Sequence, residues 1–217
     1  MNKRKKESKE QKKDKEDSIL KEKNESKKHQ RIIKIVIIFS LVVVALILVA
    51  YFSVNAIRNY NYNNVKFETV QEGDLILYHT SIPVSYEGQV VPYNFYLRTN
   101  PRQLVKMNFE GVEDFALYKN AVINFEKDFN CEGDGIIAIA NLVQLHQAIG
   151  INLITDENAT CDEYSRYLYL YLREGNETEI IQTGKSCYDL VISDCKILPS
   201  TERIMLEIFS KYNEIIE

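Results

Sequence analysis

Residues 164–174 read YSRYLYLYLRE, and their strict alternation predicts a β-strand with two different faces. The leucine face consists of Leu168, Leu170 and Leu172, and the tyrosine face consists of Tyr167, Tyr169 and Tyr171. Tyrosine is common in strands, so these rings are expected to pack under a helix, as the second face of a central strand. The alternative is a platform that binds sugar or peptide, because aromatic rings bury a large area at little entropic cost.

Two flanking segments have the periodicity of helices. DGIIAIANLVQLHQAIG (134–150) predicts a helix that Asp134 caps and Gly150 ends, and its narrow polar stripe indicates that it is mostly buried. PSTERIMLEIFSKYNEII (199–216) predicts a helix that Ser200 caps. The apolar stripe of this second helix consists of Ile204, Ile208, Tyr212 and Ile215.

Other segments predict strands, and their order indicates the fold class. Pro92 places its strand at a sheet edge, and ETEIIQTG (177–184) is expected to form a hairpin with the strand at 164–174 across a GN turn. The remaining strands are predicted at 74–84, 90–98, 119–129 and 151–155. The sequence therefore predicts an α+β domain over residues 66–217, with a mixed sheet packed with two helices, a β-rich part at 66–120 and an α/β part at 121–217.

Residues 35–54, IVIIFSLVVVALILVAYFSV, contain no charged residue, Pro or Gly. A helix of this length covers about 30 Å, which is the thickness of the hydrocarbon core of a bilayer. The stretch predicts a single transmembrane helix, with Tyr51 and Phe52 at the headgroup level. The alternatives are a core helix and a cleaved signal peptide, for which VNA before Ile57 is a weak cleavage-like site.

The two sides of this predicted helix differ in charge. Residues 1–34 contain 14 basic and 7 acidic residues and predict a disordered tail. Only Arg58 and Lys66 lie near the other end, so the positive-inside rule predicts a cytoplasmic N-terminus and an extracytoplasmic C-terminal domain. Because acids interleave with the lysines, the tail is expected to set topology and not to bind nucleic acid or anionic lipid. Residues 55–65, NAIRNYNYNNV, predict a polar juxtamembrane stalk.

Three features agree with an extracytoplasmic domain. All four cysteines follow the apolar stretch, and residues after position 34 include 24 acidic against 13 basic residues. Asn158 and Asn176 begin N-x-[ST] acceptors and predict glycosylation, although Asn24 matches the same short pattern on the predicted cytoplasmic side.

The four cysteines, Cys131, Cys161, Cys187 and Cys195, are expected to form disulfides in an oxidising compartment. SCYDLVISDC (186–195) lacks the short cysteine spacing of a zinc or redox motif. If this run is extended, Cys187 and Cys195 lie about 26 Å apart, whereas a disulfide needs Cα atoms about 5.5 Å apart. Unless the run folds back as a loop, each of the two bonds to Cys131 or Cys161.

DFNCEGDG (128–135) has features of two kinds of ligand-binding loop. The candidate calcium ligands are Asp128, Asn130, Glu132 and Asp134, but Ile139 stands where a calcium loop needs a bidentate glutamate. Gly133 and Gly135 precede a helix, as in phosphate loops, but Ala138 replaces the third glycine and the acids repel phosphate. A plain strand-to-helix turn is therefore expected, with no metal and no other cofactor.

Acid–base catalysis usually relies on a histidine or on paired carboxylates. Beyond the apolar stretch the sequence offers only His79, in a strand, and His146, in the predicted buried helix. His146 is expected to be a hydrogen-bonded core residue. Neither G-x-S-x-G nor H-E-x-x-H is present, so no catalytic residue is predicted.

VPYNFYLRTNPRQL (91–104) and SCYDLVISDCKILPSTERIMLEIF (186–209) resemble membrane-anchored surface proteins of small-genome archaea. The resemblance covers most of the predicted extracytoplasmic domain. It implies an anchored archaeal surface protein, and since no activity is known for that family, it assigns no role to any residue.

The sequence as a whole predicts a membrane-anchored extracytoplasmic binding, interaction or structural protein. Its expected partners are the lipid bilayer and another surface protein or a glycan. The alternative is an extracytoplasmic enzyme that uses His79 or His146 with a carboxylate folded close by.

Overall fold

The computed structural model describes Lys34 and residues 36–216, and the chain divides into two compact units between Asn55 and Ala56. Apart from Lys34, the predicted disordered tail lies outside the described residues, and so does Asn24. Helix α1 (Val36–Arg58) has 23 residues and exposes apolar side chains along its length. This helix is long and apolar enough to span a membrane.

The second unit begins with a four-stranded antiparallel sheet in the order β1-β2-β3-β4. Its strands are β1 (Asn59–Tyr62), β2 (Val65–Glu72), β3 (Leu75–Tyr86) and β4 (Gln89–Leu97). The prediction of a stalk is wrong at residues 59–62, because Tyr60 and Tyr62 alternate with asparagines and pack half-buried against the core. β4 is an edge strand, as Pro92 predicts.

The rest of the unit is built on a five-stranded mixed sheet in the order β6-β5-β7-β9-β8. Its strands are β5 (Asn120–Phe125), β6 (Asn152–Thr155), β7 (Leu168–Glu174), β8 (Glu179–Gly184) and β9 (Cys187–Ile192). The helices are α2 (Pro101–Leu104), α3 (Asp134–Ala148) and α4 (Ile197–Ile216), with 3₁₀ turns at Val112–Asp114 and Cys131–Gly133. The α+β class is confirmed, but the unit contains two sheets where one was predicted.

The prediction that β7 and β8 form a hairpin is wrong. β9 lies between them, parallel to β7 and antiparallel to β8. β9 is buried over nearly all of CYDLVI, whereas β8 carries the half-buried polar residues Glu179 and Gln182. The more apolar strand therefore occupies the inner position, where both of its faces are covered.

Helix α4 lies in the core between the two sheets. It contacts α3, β9 and β2, and Phe209 packs against Phe67 and Phe95 with ring centroids 6.4 Å and 5.3 Å apart. α4 begins at Ile197, before the predicted cap Ser200, because a proline at position 199 is tolerated in a first helical turn, whose N–H groups lack intrahelical partners.

The predicted apolar stripe of α4 is only part of its buried surface. Every residue from 200 to 210 is buried, including charged ones. Ile204 and Ile208 are fully buried, Tyr212 is half-buried, and Ile215 is exposed in the last turn. A helix enclosed by two sheets and α3 buries more than one face.

A buried ion pair within α4 is linked to β1 by a tyrosine hydroxyl. Arg203 and Glu207, which are 3% and 2% exposed, form a salt bridge one helical turn apart. Tyr62 donates a hydrogen bond to Glu207 Oε1 at 2.5 Å, and burial together with this bond raises the pKa of Tyr62 to about 12. The Arg203 guanidinium also lies 5.0 Å from the ring centroid of Phe109.

A second buried carboxylate on α4 fixes the turn after β4. Glu202 accepts hydrogen bonds from the backbone N–H groups of Arg98 at 2.6 Å and Thr99 at 2.9 Å. Burial raises the pKa of Glu202 above its usual range. Both acids therefore compensate for their burial with specific donors.

Candidate functional site

A crevice of about 850 Å³ lies at the carboxyl ends of the parallel strands β5 and β6. From β5 the chain enters α3, which shares a core cluster with the leucine face of β7. From β6 it enters a loop at 156–167, which packs on the opposite, tyrosine face. Open α/β sheets bind ligands where the connections from neighbouring strands leave toward opposite faces. The crevice occupies such a position.

Five of the fourteen residues that line the crevice are apolar. Its apolar residues are Phe125, Phe129, Ile136, Ile139 and Ile197. Ile136 is 70% exposed in the first turn of α3, so the prediction that this helix is mostly buried is wrong at its N-terminal end. A ligand that covers this side chain gains about 25 cal/mol for each Å² of apolar surface removed from water.

Gly135 brings the first turn of α3 close to the segment that follows β5. Its N–H donates to the carbonyl oxygen of Asn130 at 3.2 Å, and a Cβ at this position would lie 1.7 Å from the carbonyl oxygen of Phe129. Any other residue would force the backbone apart here. The neighbouring Cys131 is bonded to Cys195, with Cα atoms 5.5 Å apart, so this wall of the crevice is held in place.

Asn124 connects the end of β5 to the loop at 156–167. Its Oδ1 accepts a hydrogen bond from the Phe125 N–H at 2.7 Å. Its Nδ2 donates to the carbonyl oxygens of Glu157 at 3.2 Å and Ala159 at 3.4 Å. One buried amide therefore positions both sides of the crevice rim.

Some polar side chains of the rim are engaged and others are free. Glu126 accepts a hydrogen bond from the Glu174 N–H at 2.8 Å, and Lys127 forms an ion pair with Glu174. Five more lining residues have side chains without a hydrogen-bond or ion-pair partner in the described part of the chain: Asp128, Asn130, Thr155, Glu157 and Tyr171. The crevice thus presents two carboxylates, two hydroxyls and one amide to a ligand.

The tyrosine face of β7 is covered by a loop and not by the expected helix. Tyr167 donates a hydrogen bond to the carbonyl oxygen of Thr160 at 2.7 Å, and Tyr169 donates to that of Ala159 at 3.2 Å. Tyr171 alone of the three lines the crevice. The predicted binding face is therefore reduced to one ring, at the end nearest the crevice.

Both cysteine pairs lie beside this region. Cys161 in the loop is bonded to Cys187 at the start of β9, with Cα atoms 5.6 Å apart. Cys195 is bonded to Cys131 ahead of α3. Cys187 and Cys195 thus have different partners, as their separation along an extended strand predicts. The two disulfides indicate an oxidising compartment.

The candidate calcium ligands do not converge. The Asp134 carboxylate lies 3.6 Å from the Arg98 guanidinium, while Asp128 and Asn130 line the crevice. Within residues 36–216, no group of three or more His, Cys, Asp or Glu side chains is arranged to hold a metal ion. Asp134 is not the helix cap either, because Gly133, with φ at 96°, occupies that position without a side-chain hydrogen bond.

Neither histidine lies at the crevice. His146 is fully buried, and its Nδ1 lies 2.7 Å from the carbonyl oxygen of Leu142 within α3. His79 lies on the outer face of the antiparallel sheet, with Nε2 3.1 Å from Asn94 Oδ1 and its ring 5.0 Å from that of Tyr96. No carboxylate is hydrogen-bonded to either ring among the described residues.

Acidification should destabilise the fold through His146. Burial lowers the pKa of His146, so protonation favours the unfolded chain, whose histidine titrates near the ordinary value of 6.5. Stability contributed by the neutral ring is present above pH 6.5 and is lost as the pH falls. We expect the free energy of unfolding to decrease by at most about 2 kcal/mol between pH 7 and pH 5.

Denaturant unfolding at several pH values measures this effect. His146→Leu should flatten the pH dependence between pH 5 and 7, whereas His79→Leu, on the exposed sheet face, should retain it. Equal slopes for the two variants would contradict the assignment.

Comparison of the chain with protein-family models, curated proteins and solved structures gave no match. Conclusions about function therefore follow from the geometry of the crevice.

Sequence reasoning missed Asn124, Glu157 and Ile136 as site residues. The usable signal was that NAVINF (120–125) and INLIT (151–155) are short strands separated by a helix, which predicts a parallel pair. Polar residues just beyond the carboxyl ends of such strands are ligand-site candidates.

Proposed function

We propose that this chain is a membrane-anchored protein whose extracytoplasmic domain binds a ligand in the crevice at the ends of β5 and β6. The supporting observation is the combination of apolar residues and unpartnered polar groups in the lining of one crevice. Ligand sites in proteins are typically concave and mainly apolar, with a few polar groups that orient the ligand. The volume of about 850 Å³ suits a small molecule or two to three residues of a peptide.

The proposed topology places residues 1–34 in the cytoplasm, α1 in the membrane and the second unit outside. Its supports are the basic residues ahead of α1, the length of that helix and the two disulfides. Asn158 and Asn176 are exposed, so both are accessible for glycosylation in this topology. An archaeal origin, implied by the resemblance, stays a prediction.

Binding is proposed in preference to catalysis because no observation favours an enzyme. The catalytic alternative rested on His79 and His146, and these lie on an outer sheet face and in the core. The polar groups of the crevice offer orientation and charge to a ligand. The domain is accordingly a receptor or adhesion module for a partner at the cell surface.

Methyl NMR on the full chain, with labelled isoleucines in discs of zwitterionic lipid, tests the crevice. A set of small neutral fragments is expected to shift the methyl signals of Ile136, Ile139 and Ile197. Ile154 and Ile215, which are exposed elsewhere, serve as internal controls. A ligand site at this position would be contradicted if the fragments shifted the signals of all exposed isoleucines equally. It would also be contradicted if no fragment shifted the Ile136 signal.

A further inference from the structure

The charge of the crevice carries information about its ligand. Three carboxylates line it, from Glu126, Asp128 and Glu157, and its single basic residue is Lys127. Lys127 is already paired with Glu174, so it offers no free charge to an anionic ligand. Asp128 and Glu157 have no cationic partner in the described part of the chain. An anion entering this space meets uncompensated negative charge.

The positive end of the α3 helix dipole offsets the negative charge of the crevice only weakly. A helix N-terminus carries about half a positive elementary charge, which attracts anions. The first turn of α3 already contains Asp134, and the crevice adds two free carboxylates. Full charges outweigh the partial charge of the helix, so the net potential of the crevice favours cations.

The aromatic and apolar residues of the crevice indicate which other groups a cationic ligand should carry. Tyr171 lines the crevice, and its ring stacks on Tyr169 with centroids 6.4 Å apart and an angle of 8° between the planes. A tyrosine ring held in this way attracts a cation through its face. The exposed Ile136 and the other apolar residues of the lining favour a partner that is itself apolar.

We infer that the crevice binds an organic cation, in which an ammonium or guanidinium group is attached to an apolar body. This inference rests on the proposed function of the crevice as a ligand site. The cation pairs with the free carboxylates of the lining, Asp128 and Glu157, and the apolar body covers Ile136. Such a group is carried by free hydrophobic amines and by the basic side chains of peptides that also contain apolar residues.

Three small probes of similar shape test the charge preference in the same lipid discs. Phenethylammonium, the neutral phenethyl alcohol and the anionic phenylpropionate are titrated while the Ile136 methyl signal is followed. The ammonium is expected to bind about three- to tenfold more tightly than the alcohol, and phenylpropionate least of all, because the ammonium gains ion pairs with two exposed carboxylates. The blocked dipeptides Phe-Arg and Phe-citrulline repeat the comparison with a guanidinium and its neutral counterpart. Whether phenethylammonium or the Phe-Arg dipeptide binds more tightly indicates whether amines or peptides are the natural source.

Two double variants control for the carboxylates. Asp128→Asn with Glu157→Gln should remove the advantage of the ammonium over the alcohol while binding of the alcohol persists. Asp74→Asn with Glu163→Gln removes the same charge from exposed positions outside the crevice and should change nothing. Equal affinity for ammonium and alcohol, or tightest binding of phenylpropionate, would overturn the cation inference and leave the ligand site standing. Absence of any Ile136 shift with all the probes would overturn the ligand site itself.

Discussion

Replacing Glu207 with alanine is expected to lower the free energy of unfolding by about 3 to 5 kcal/mol. The variant leaves Arg203 charged and buried, because that guanidinium is 3% exposed and Glu207 is its ion-pair partner. It also removes the acceptor of the Tyr62 hydroxyl. Denaturant unfolding of the full chain in lipid discs, followed by circular dichroism, measures the loss.

Two further variants separate charge from packing. Arg203→Met combined with Glu207→Leu removes both charges and keeps the volume, so it should be far less destabilising than Glu207→Ala alone. Tyr62→Phe removes one hydrogen bond and leaves the ion pair, with an expected cost of about 1 to 2 kcal/mol. Loss of a typical surface ion pair changes the free energy of unfolding by less than about 1 kcal/mol. If Glu207→Ala lowers the free energy of unfolding by no more than this, the ion pair is not buried as described.

Removal of the Cys131–Cys195 disulfide by a double alanine substitution is expected to cost about 4 kcal/mol. The two cysteines are 64 residues apart, and a cross-link that closes a long loop restricts the unfolded chain strongly. The second disulfide closes a loop of 26 residues, so replacing Cys161 and Cys187 with alanine should cost slightly less, about 3.5 kcal/mol.

The two disulfide variants should also differ in what they expose. Loss of Cys161–Cys187 frees the loop at 156–167 and should speed hydrogen exchange at the covered tyrosine face of β7. Loss of Cys131–Cys195 should instead speed exchange at the N-terminal end of α3. A loss of less than 1 kcal/mol in both variants, without a local change in exchange, would show that the disulfides do not constrain the fold.

Local sequence patterns were sufficient for most elements of the second unit. The alternation of Leu168 to Leu172 with tyrosines is visible in a single strand, and it correctly separates the two faces of β7. The order of the strands was not predictable in this way. Whether β8 or β9 pairs with β7 depends on which strand is covered on both faces, and that is a property of the whole sheet.

Helix α4 shows a second limit of prediction from local sequence. Its sequence, with Glu202, Arg203 and Glu207, is typical of a helix with one solvated face, yet the two sheets enclose it. Those charges are tolerated because Arg98, Thr99 and Tyr62, far away in sequence, supply hydrogen bonds. Such long-range partners have no signature in a local window.

The candidate site was the least predictable part. The crevice combines the end of β5, the start of α3, the end of β6 and one ring of β7, which lie in separate segments. The segment with the candidate calcium ligands contributes Asp128 and Asn130 to this lining, but these ligands do not converge. A motif search detects residues that are close in sequence, whereas this site depends on how the chain crosses the sheet.

We propose that the disulfide-bonded unit lies outside the cytoplasm and residues 1–34 lie inside. Labelling of intact cells with a membrane-impermeant amine reagent, followed by peptide mapping, tests it directly, because each side carries its own lysines. The exposed Lys106, Lys185 and Lys196 should be labelled in intact cells, and lysines 3–28 only after permeabilisation. Labelling of the N-terminal lysines in intact cells, with the domain protected, would contradict the topology and the extracytoplasmic ligand site with it.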